Sequence, residues 1–221
     1  MLEWCCNPGS RITRCCRRRP RTKALRLGQH NIDLDDAVQV AKLRQMGLQY
    51  LQSQGALRVF VSLPCKSWCQ IQSLNVQVHG KAFNDKLQRE RQVSQHMIRL
   101  FLRTYRLWKR ESPAKVYGAF EWPRNCGWNS NHNPAITSLL KVLPRSAFFH
   151  GCAFGLKYKG KYLKKPWRIA TDHGKLAAAL DGRSCSGGHS HTQTIGKAAK
   201  VSESYPPRLA QCITNAFLEY P

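Results

Sequence analysis

The run Arg58-Val59-Phe60-Val61-Ser62-Leu63, stopped by Pro64, constrains this chain more than any other segment. It is apolar at nearly every position and far too short for a membrane span, which predicts a strand covered on both faces. Such a strand belongs to a mostly parallel sheet with helices above and below it. The flanks agree. Asp35-Asp36 stands where a helix N-cap should, ahead of Val38, Leu43, Met46 and Leu51. After the strand, Val93, Met97, Phe101 and Tyr105 fall at successive steps of four, with Ile98, Leu102 and Trp108 widening the stripe, which predicts a long core-facing helix. The alternation continues through a strand at Lys115–Phe120, a helix at Pro134–Leu143, strands at Ala147–Phe154 and Trp167–Ala170, a small helix around Lys175–Leu180 and a closing helix near Pro207–Leu218. Met1–Cys6 reads as an opening strand ended by the turn Asn7-Pro8-Gly9. The expectation is one α/β domain over residues 1–221, with a mostly parallel sheet in three layers.

The charge is lopsided. Lys and Arg number 36 against 12 Asp and Glu, a formal net charge of +24, yet 42% of residues are hydrophobic and six are Trp, which excludes a purely solvated basic tail. A folded protein with that field has a polyanion as its expected partner, nucleic acid first and anionic membrane second. The basic run Arg11, Arg14, Arg17, Arg18, Arg19, Arg21, Lys23 and Arg26 meets no acid between Glu3 and Asp33, and reads as a phosphate-binding arm, a localisation signal or a solvated loop. No apolar run approaches a membrane span and the start lacks a signal peptide's apolar centre, so an intracellular protein is expected, nuclear if the source is eukaryotic. In that reducing setting the ten cysteines are core, ligand or nucleophile and not a disulfide framework.

In parallel sheets, ligands bind outside the carboxyl ends of the strands. That rule selects Asn7–Ser10, Pro64-Cys65 and Glu121-Trp122-Pro123. A cysteine and a glutamate delivered to one edge are a nucleophile and a proton donor, suited to attack on an electron-poor ring with a buried carboxyl binding the ring nitrogen.

In these ordered pieces the chain resembles cytosine-5 DNA methyltransferases, whose domain is a Rossmann-like, S-adenosylmethionine-dependent α/β sheet. Val61-Ser62-Leu63-Pro64-Cys65 is similar to the family's Pro-Cys loop, Phe120-Glu121-Trp122-Pro123 to its Glu-Asn-Val strand end, and Lys165-Pro166-Trp167-Arg168-Ile169-Ala170 to the segment whose arginine lies beside the flipped base. Tyr205-Pro206-Pro207-Arg208-Leu209 resembles its closing helix. The resemblance implies Cys65 as nucleophile, Glu121 as base-binding acid and Arg168 as their neighbour. It implies S-adenosylmethionine near Gly9, Ser10, Asp33 and Pro64, with Asn31-Ile32-Asp33-Leu34 as the adenine-side turn. Nearly the whole chain also resembles methyltransferase-like domains of retroelement polyproteins, through Leu74-Asn75, the Glu-x-Pro strand end and a late Cys/His cluster. The implied partner is nucleic acid, DNA first, held by Arg17, Arg18, Arg19, Arg21, Lys66, Lys164 and Lys165, with Trp122 stacking on a base. Core packing accounts for that tryptophan equally well, as it does for Trp128 and Trp167.

Two alternatives stay open. A single glycine in the first loop and Arg26 near the place of the ribose-binding acid favour a non-catalytic nucleic-acid-binding module. The Gly/Ser/His-rich loop Gly182–Gly196, within a short target-contacting insert at 182–204, carries Cys185, His189 and His191, three zinc-type ligands that suffice with a water in a catalytic site or take a fourth from Cys126 or Cys152 in a structural one. Cys69, four residues after Cys65, is core filler, a resolving thiol or part of a metal site.

Overall fold

The computed structural model describes residues 1–4, 9–28, 33, 35–129 and 131–219. Cys5, Cys6, Asn7 and Pro8 of the opening turn, Gln29, and Asn31, Ile32 and Leu34 of the adenine-side turn lie outside the described residues.

A six-stranded sheet runs in the order β2-β1-β3-β4-β8-β5, from β1 (Leu2–Trp4), β2 (Leu25–Leu27), β3 (Leu57–Val61), β4 (Val116–Pro123), β5 (Arg145–His150) and β8 (Pro166–Thr171). The β1–β2, β1–β3 and β3–β4 pairs are parallel, and β8 runs antiparallel between β4 and β5. The fold is thus a mostly parallel, Rossmann-like α/β sheet. Strands β2 and β3 leave β1 in opposite directions, which makes the β1–β3 boundary the topological switch point.

The expected alternation is present, with the sheet covered on both faces. Helices α2 (Ala37–Gln54), α3 (Ile71–Glu111) and α4 (Pro134–Val142) bury Leu43, Phe101, Trp108 and Ile136 against Leu57, Val59, Val61, Phe120 and Trp122 on one face. On the other face, α1 (Arg11–Arg17), α5 (Gly174–Leu180), α6 (Gly196–Val201) and α7 (Pro207–Leu218) bury Ile12, Leu176, Leu209, Ile213 and Phe217 against Phe60, Ala119, Phe149 and Ile169. Asp36 caps α2 by accepting from the Val38 and Gln39 amides, and Gly55 ends it at φ 68°. Within α3 the chain breaks at Gly80, at φ 67° and ψ −152°. The predicted stripe of α3 is buried from Met97 to Trp108, whereas Val93, at its start, is 58% exposed.

Two expectations are corrected, and one element is new. The start of the basic arm is the helix α1, because Ser10 caps it and Ile12, Thr13 and Cys16 give it a buried face. The strand expected at Ala147–Phe154 stops at His150 and turns through Gly151–Phe154. The loop before β8 contains a hairpin, β6 (Lys157–Tyr158) and β7 (Lys161–Tyr162), turned through Lys159 at φ 48° and Gly160 at φ 77°. Among the described residues, no helix is long and apolar enough to cross a membrane.

Candidate functional site

The carboxyl ends of β1, β3 and β4 share one edge, which the end of β5 and the start of the antiparallel β8 also reach. Side chains alternate between faces along a strand, so Glu121 on β4 points to the α1/α5/α7 side while Trp122 points to the α2/α3/α4 side. Glu121 is 4% exposed. Its Oε2 accepts a hydrogen bond from Ser62 at 3.0 Å and another from the Tyr205 hydroxyl, while its Oε1, also buried, has no hydrogen-bond partner. Burial drives the carboxyl pKa up to about 7, against the pull of Lys165 and the hydrogen bond from Tyr205. Tyr205, itself pushed well above its ordinary value by burial and by Glu121, stays a neutral donor. Both oxygen donors converge on Oε2, so the acidic proton of the neutral form belongs on Oε1.

Cys65 follows β3 at this edge, close enough to Glu121 and Lys165 for its charge to act on the first and feel the second. Its loop is fastened to α3. Trp68 Nε1 donates to Ser94 Oγ at 2.6 Å, Arg91 Nε donates to the Ser67 carbonyl at 3.0 Å, and the Arg91 guanidinium lies 5.2 Å from the Trp68 ring centroid. Cys65 is not alone. The sulfurs of Cys65, Cys69 and Cys126 lie within 4.8 Å of one another. Cys69 and Cys126 are joined by an isolated bridge, with their sulfurs 3.3 Å apart, well beyond disulfide length. The hydrogen bond with Cys126 draws the Cys65 thiol pKa down, but the bond with Cys69 and burial together push it above its ordinary value. Hydrogen bonds from Cys126 and Cys65 draw the Cys69 thiol well below its ordinary value, so of the three sulfurs it gives up its proton most readily.

The structure sets Cys65, Glu121 and Lys165 within electrostatic reach of one another at this edge, with Ser62 and Tyr205 on Glu121 and with Cys69 and Cys126 beside Cys65, which packs on the α2/α3/α4 side. Tyr205 sits immediately before the paired prolines that start α7, the only signal that marked it. Arg168 is elsewhere. It pairs with Trp122 across the β4–β8 ladder, which puts it on the face opposite Glu121. There its guanidinium donates to Ser146 Oγ at 2.9 Å and stacks over Trp128 at 4.4 Å. Trp122 is not a stacking platform, since it is 1% exposed with Nε1 donating to the Leu63 carbonyl at 2.9 Å. Trp167, also 1% exposed, is likewise core.

Of the proposed cofactor contacts, Gly9 and Pro64 are exposed. Ser10 is spent internally, donating to Glu3 Oε1 at 2.5 Å and capping α1, and Glu3 Oε2 also accepts from the Thr13 amide at 3.1 Å. Asp33 accepts from the Asp35 amide at 2.9 Å in the exposed turn before α2. Among the basic residues, Arg18, Arg21, Lys66 and Lys164 are exposed. Arg17, Arg19 and Lys165 have internal partners in the Ala24 carbonyl, Asn215 and the Ser202 carbonyl. At the β5 end of the same edge, Cys152, Cys185, His189 and His191 place their ligand atoms within 4.8 Å of one another and could hold a metal ion, with Cys152 supplying the fourth position. A groove between α5 and α7, lined by Ala178, Pro207, Cys212 and Ala216 among others, contains none of these residues. Compared with protein-family models and with curated proteins, the chain matches none.

Proposed function

We propose that this protein takes up a nucleobase at its sheet edge and acts on it as cytosine-5 methyltransferases do. The observation that carries the reading is Glu121: a buried carboxyl that keeps a substantial protonated fraction near neutral pH and whose one unpartnered oxygen is, in that form, a donor. Cytosine offers an accepting ring nitrogen beside a donating amine, whereas uracil offers a ring N–H at the same place, so a proton on Oε1 selects the cytosine-type edge. Tyr205 and Ser62 position that proton by occupying the other oxygen.

In the proposed reaction the Cys65 thiol passes its proton to the neighbouring Cys69 sulfur and adds as a thiolate to carbon 6 of the ring, with Glu121 hydrogen-bonded to the ring nitrogen as electron density moves onto the ring. Carbon 5 then takes the methyl group and loses its proton to water, and the electrons of that C–H bond restore the ring double bond as the carbon–sulfur bond breaks and Cys65 leaves as a thiolate. S-adenosylmethionine supplies the methyl group when bound. The switch-point crevice between β1 and β3, followed by the exposed Gly9 and Pro64, is its place in this reading. Ser10 does not serve it, being committed to Glu3. The net charge of +24 and the exposed Arg18, Arg21, Lys66 and Lys164 support a nucleic-acid substrate.

One observation favours a second reading. If Cys65, Cys69 and Cys126 together hold a metal, Cys65 is a ligand and the protein is a nucleic-acid-binding module without this chemistry. A single experiment separates the two. Protein is mixed with S-adenosylmethionine and duplex DNA containing 5-fluorocytosine, whose carbon–fluorine bond prevents release of the sulfur. A denaturant-resistant complex that needs the cofactor and is lost in Cys65→Ser is expected. Tight, salt-sensitive binding of the same DNA with no such complex overturns the methyltransferase reading in favour of the module.

A further inference from the structure

Residues 181–195 connect α5 to α6 without helix or strand, a long connection whose one large apolar residue among the exposed set, Ile195, is 68% exposed. Loops of that length with no structure of their own are uncommon in compact domains, and this one has little apolar surface to hold it down. Its fixed points are polar. The Cys185 amide donates to His150 Nδ1 at 3.0 Å, the His150 amide donates to the Arg183 carbonyl at 3.0 Å, and the Thr192 amide donates to the Tyr162 carbonyl at 2.9 Å. Gly187 and Gly188, at φ 81° and 69°, turn the chain so that His189 and His191 come back over Cys185.

We infer that Cys152, Cys185, His189 and His191 form a closed structural zinc site that staples this loop to the turn after β5. Four lone-pair donors from two distant parts of the chain meet with every ligand atom within 4.8 Å of the others. The Cys185 sulfur lies 3.5 Å from His189 Nε2 and 3.4 Å from His191 Nε2. Zinc bonds of about 2.3 Å to sulfur and about 2.0–2.1 Å to nitrogen, at tetrahedral angles, put sulfur and nitrogen about 3.5 Å apart. Two cysteines and two histidines complete a tetrahedron and leave no position for a substrate, which makes the site structural and not catalytic. This mixed sulfur–imidazole set suits zinc and not the oxygen-seeking magnesium or calcium. The two thiols bind as thiolates, release their protons on binding and neutralise the ion. Supporting contacts are in place. The Gly187 amide approaches the Cys185 sulfur at 3.5 Å, and the His189 ring stacks on Tyr162 with centroids 4.0 Å apart.

The staple also fixes the β6–β7 hairpin, because Tyr162 meets the loop through His189, through the Thr192 amide and through an isolated bridge to His191. Lys157, Lys159, Lys161 and Lys164 are all exposed on or beside that hairpin, so zinc sets the position of a cationic patch at the sheet edge.

The test uses the full chain purified under reducing conditions, loaded with zinc, freed of excess metal and analysed for bound zinc. Cys185→Ser and His191→Ala are each expected to carry one zinc per chain fewer than wild type, while Cys69→Ser retains that zinc. Chelation of the wild type is expected to open residues 182–192 to hydrogen exchange without opening β3 or β4. His191 is exposed, so His191→Ala decides the question if Cys185→Ser fails to fold. A wild type that binds no zinc, or variants that keep its full zinc content, overturn the proposal.

Discussion

Replacing Glu121 by Gln turns the buried carboxyl into a group that keeps an acceptor for Tyr205 and Ser62 and never ionises. Folding raises the Glu121 pKa from the ordinary 4.5 to about 7, chiefly through burial. The folded protein therefore binds this proton more tightly than the unfolded chain does. The stabilisation is fully present below about pH 4.5 and is lost as pH rises through about 7. At about 1.4 kcal/mol per tenfold change in proton affinity, the full effect is on the order of 3 kcal/mol. Wild type and Glu121→Gln should have a fixed stability difference near pH 4.5, and the variant should gain on the wild type by about 3 kcal/mol by pH 8. For a chain of this size that corresponds to roughly 6–12 °C in Tm. Thermal or urea unfolding of both proteins between pH 4.5 and 8, followed by subtraction, is the assay, because groups common to both cancel. A difference that does not change with pH would refute the reasoning, since it would mean that Glu121 ionises in the folded protein as easily as in the unfolded chain.

Gly47 on α2 faces the Trp108 ring so closely that an added Cβ would lie 2.2 Å from its Cε2. Gly47→Ala should thus cost about 1–3 kcal/mol of unfolding free energy in denaturant titrations. For the cationic patch, Lys159→Ala combined with Lys164→Ala should weaken binding to duplexes of different sequence alike, and should flatten the dependence of log affinity on log salt by about two. An unchanged slope would place the nucleic acid elsewhere.

What the sequence determined by itself is local. The uninterrupted apolar run of β3, the cap at Asp36, the four-residue stripe from Met97 to Trp108 and the paired prolines before α7 each act over a few residues, and they suffice for the layered α/β arrangement. The rule about strand ends also brought Cys65 and Glu121 to one edge, because strand direction in a mostly parallel sheet follows from the alternation itself. Tertiary structure decided what depends on face and order. Arg168 follows the edge motifs in sequence, yet the antiparallel register of β8 pairs it with Trp122 and sends it to the other face. Tyr205 reaches Glu121 from 84 residues away, and Cys126 reaches Cys69 from 57 residues away. Cys152 joins Cys185, His189 and His191 only because β5 ends beside their loop. No periodicity or cap encodes such meetings. They follow from which strands become neighbours and which side chains share a face, and those are set by burying the whole core at once.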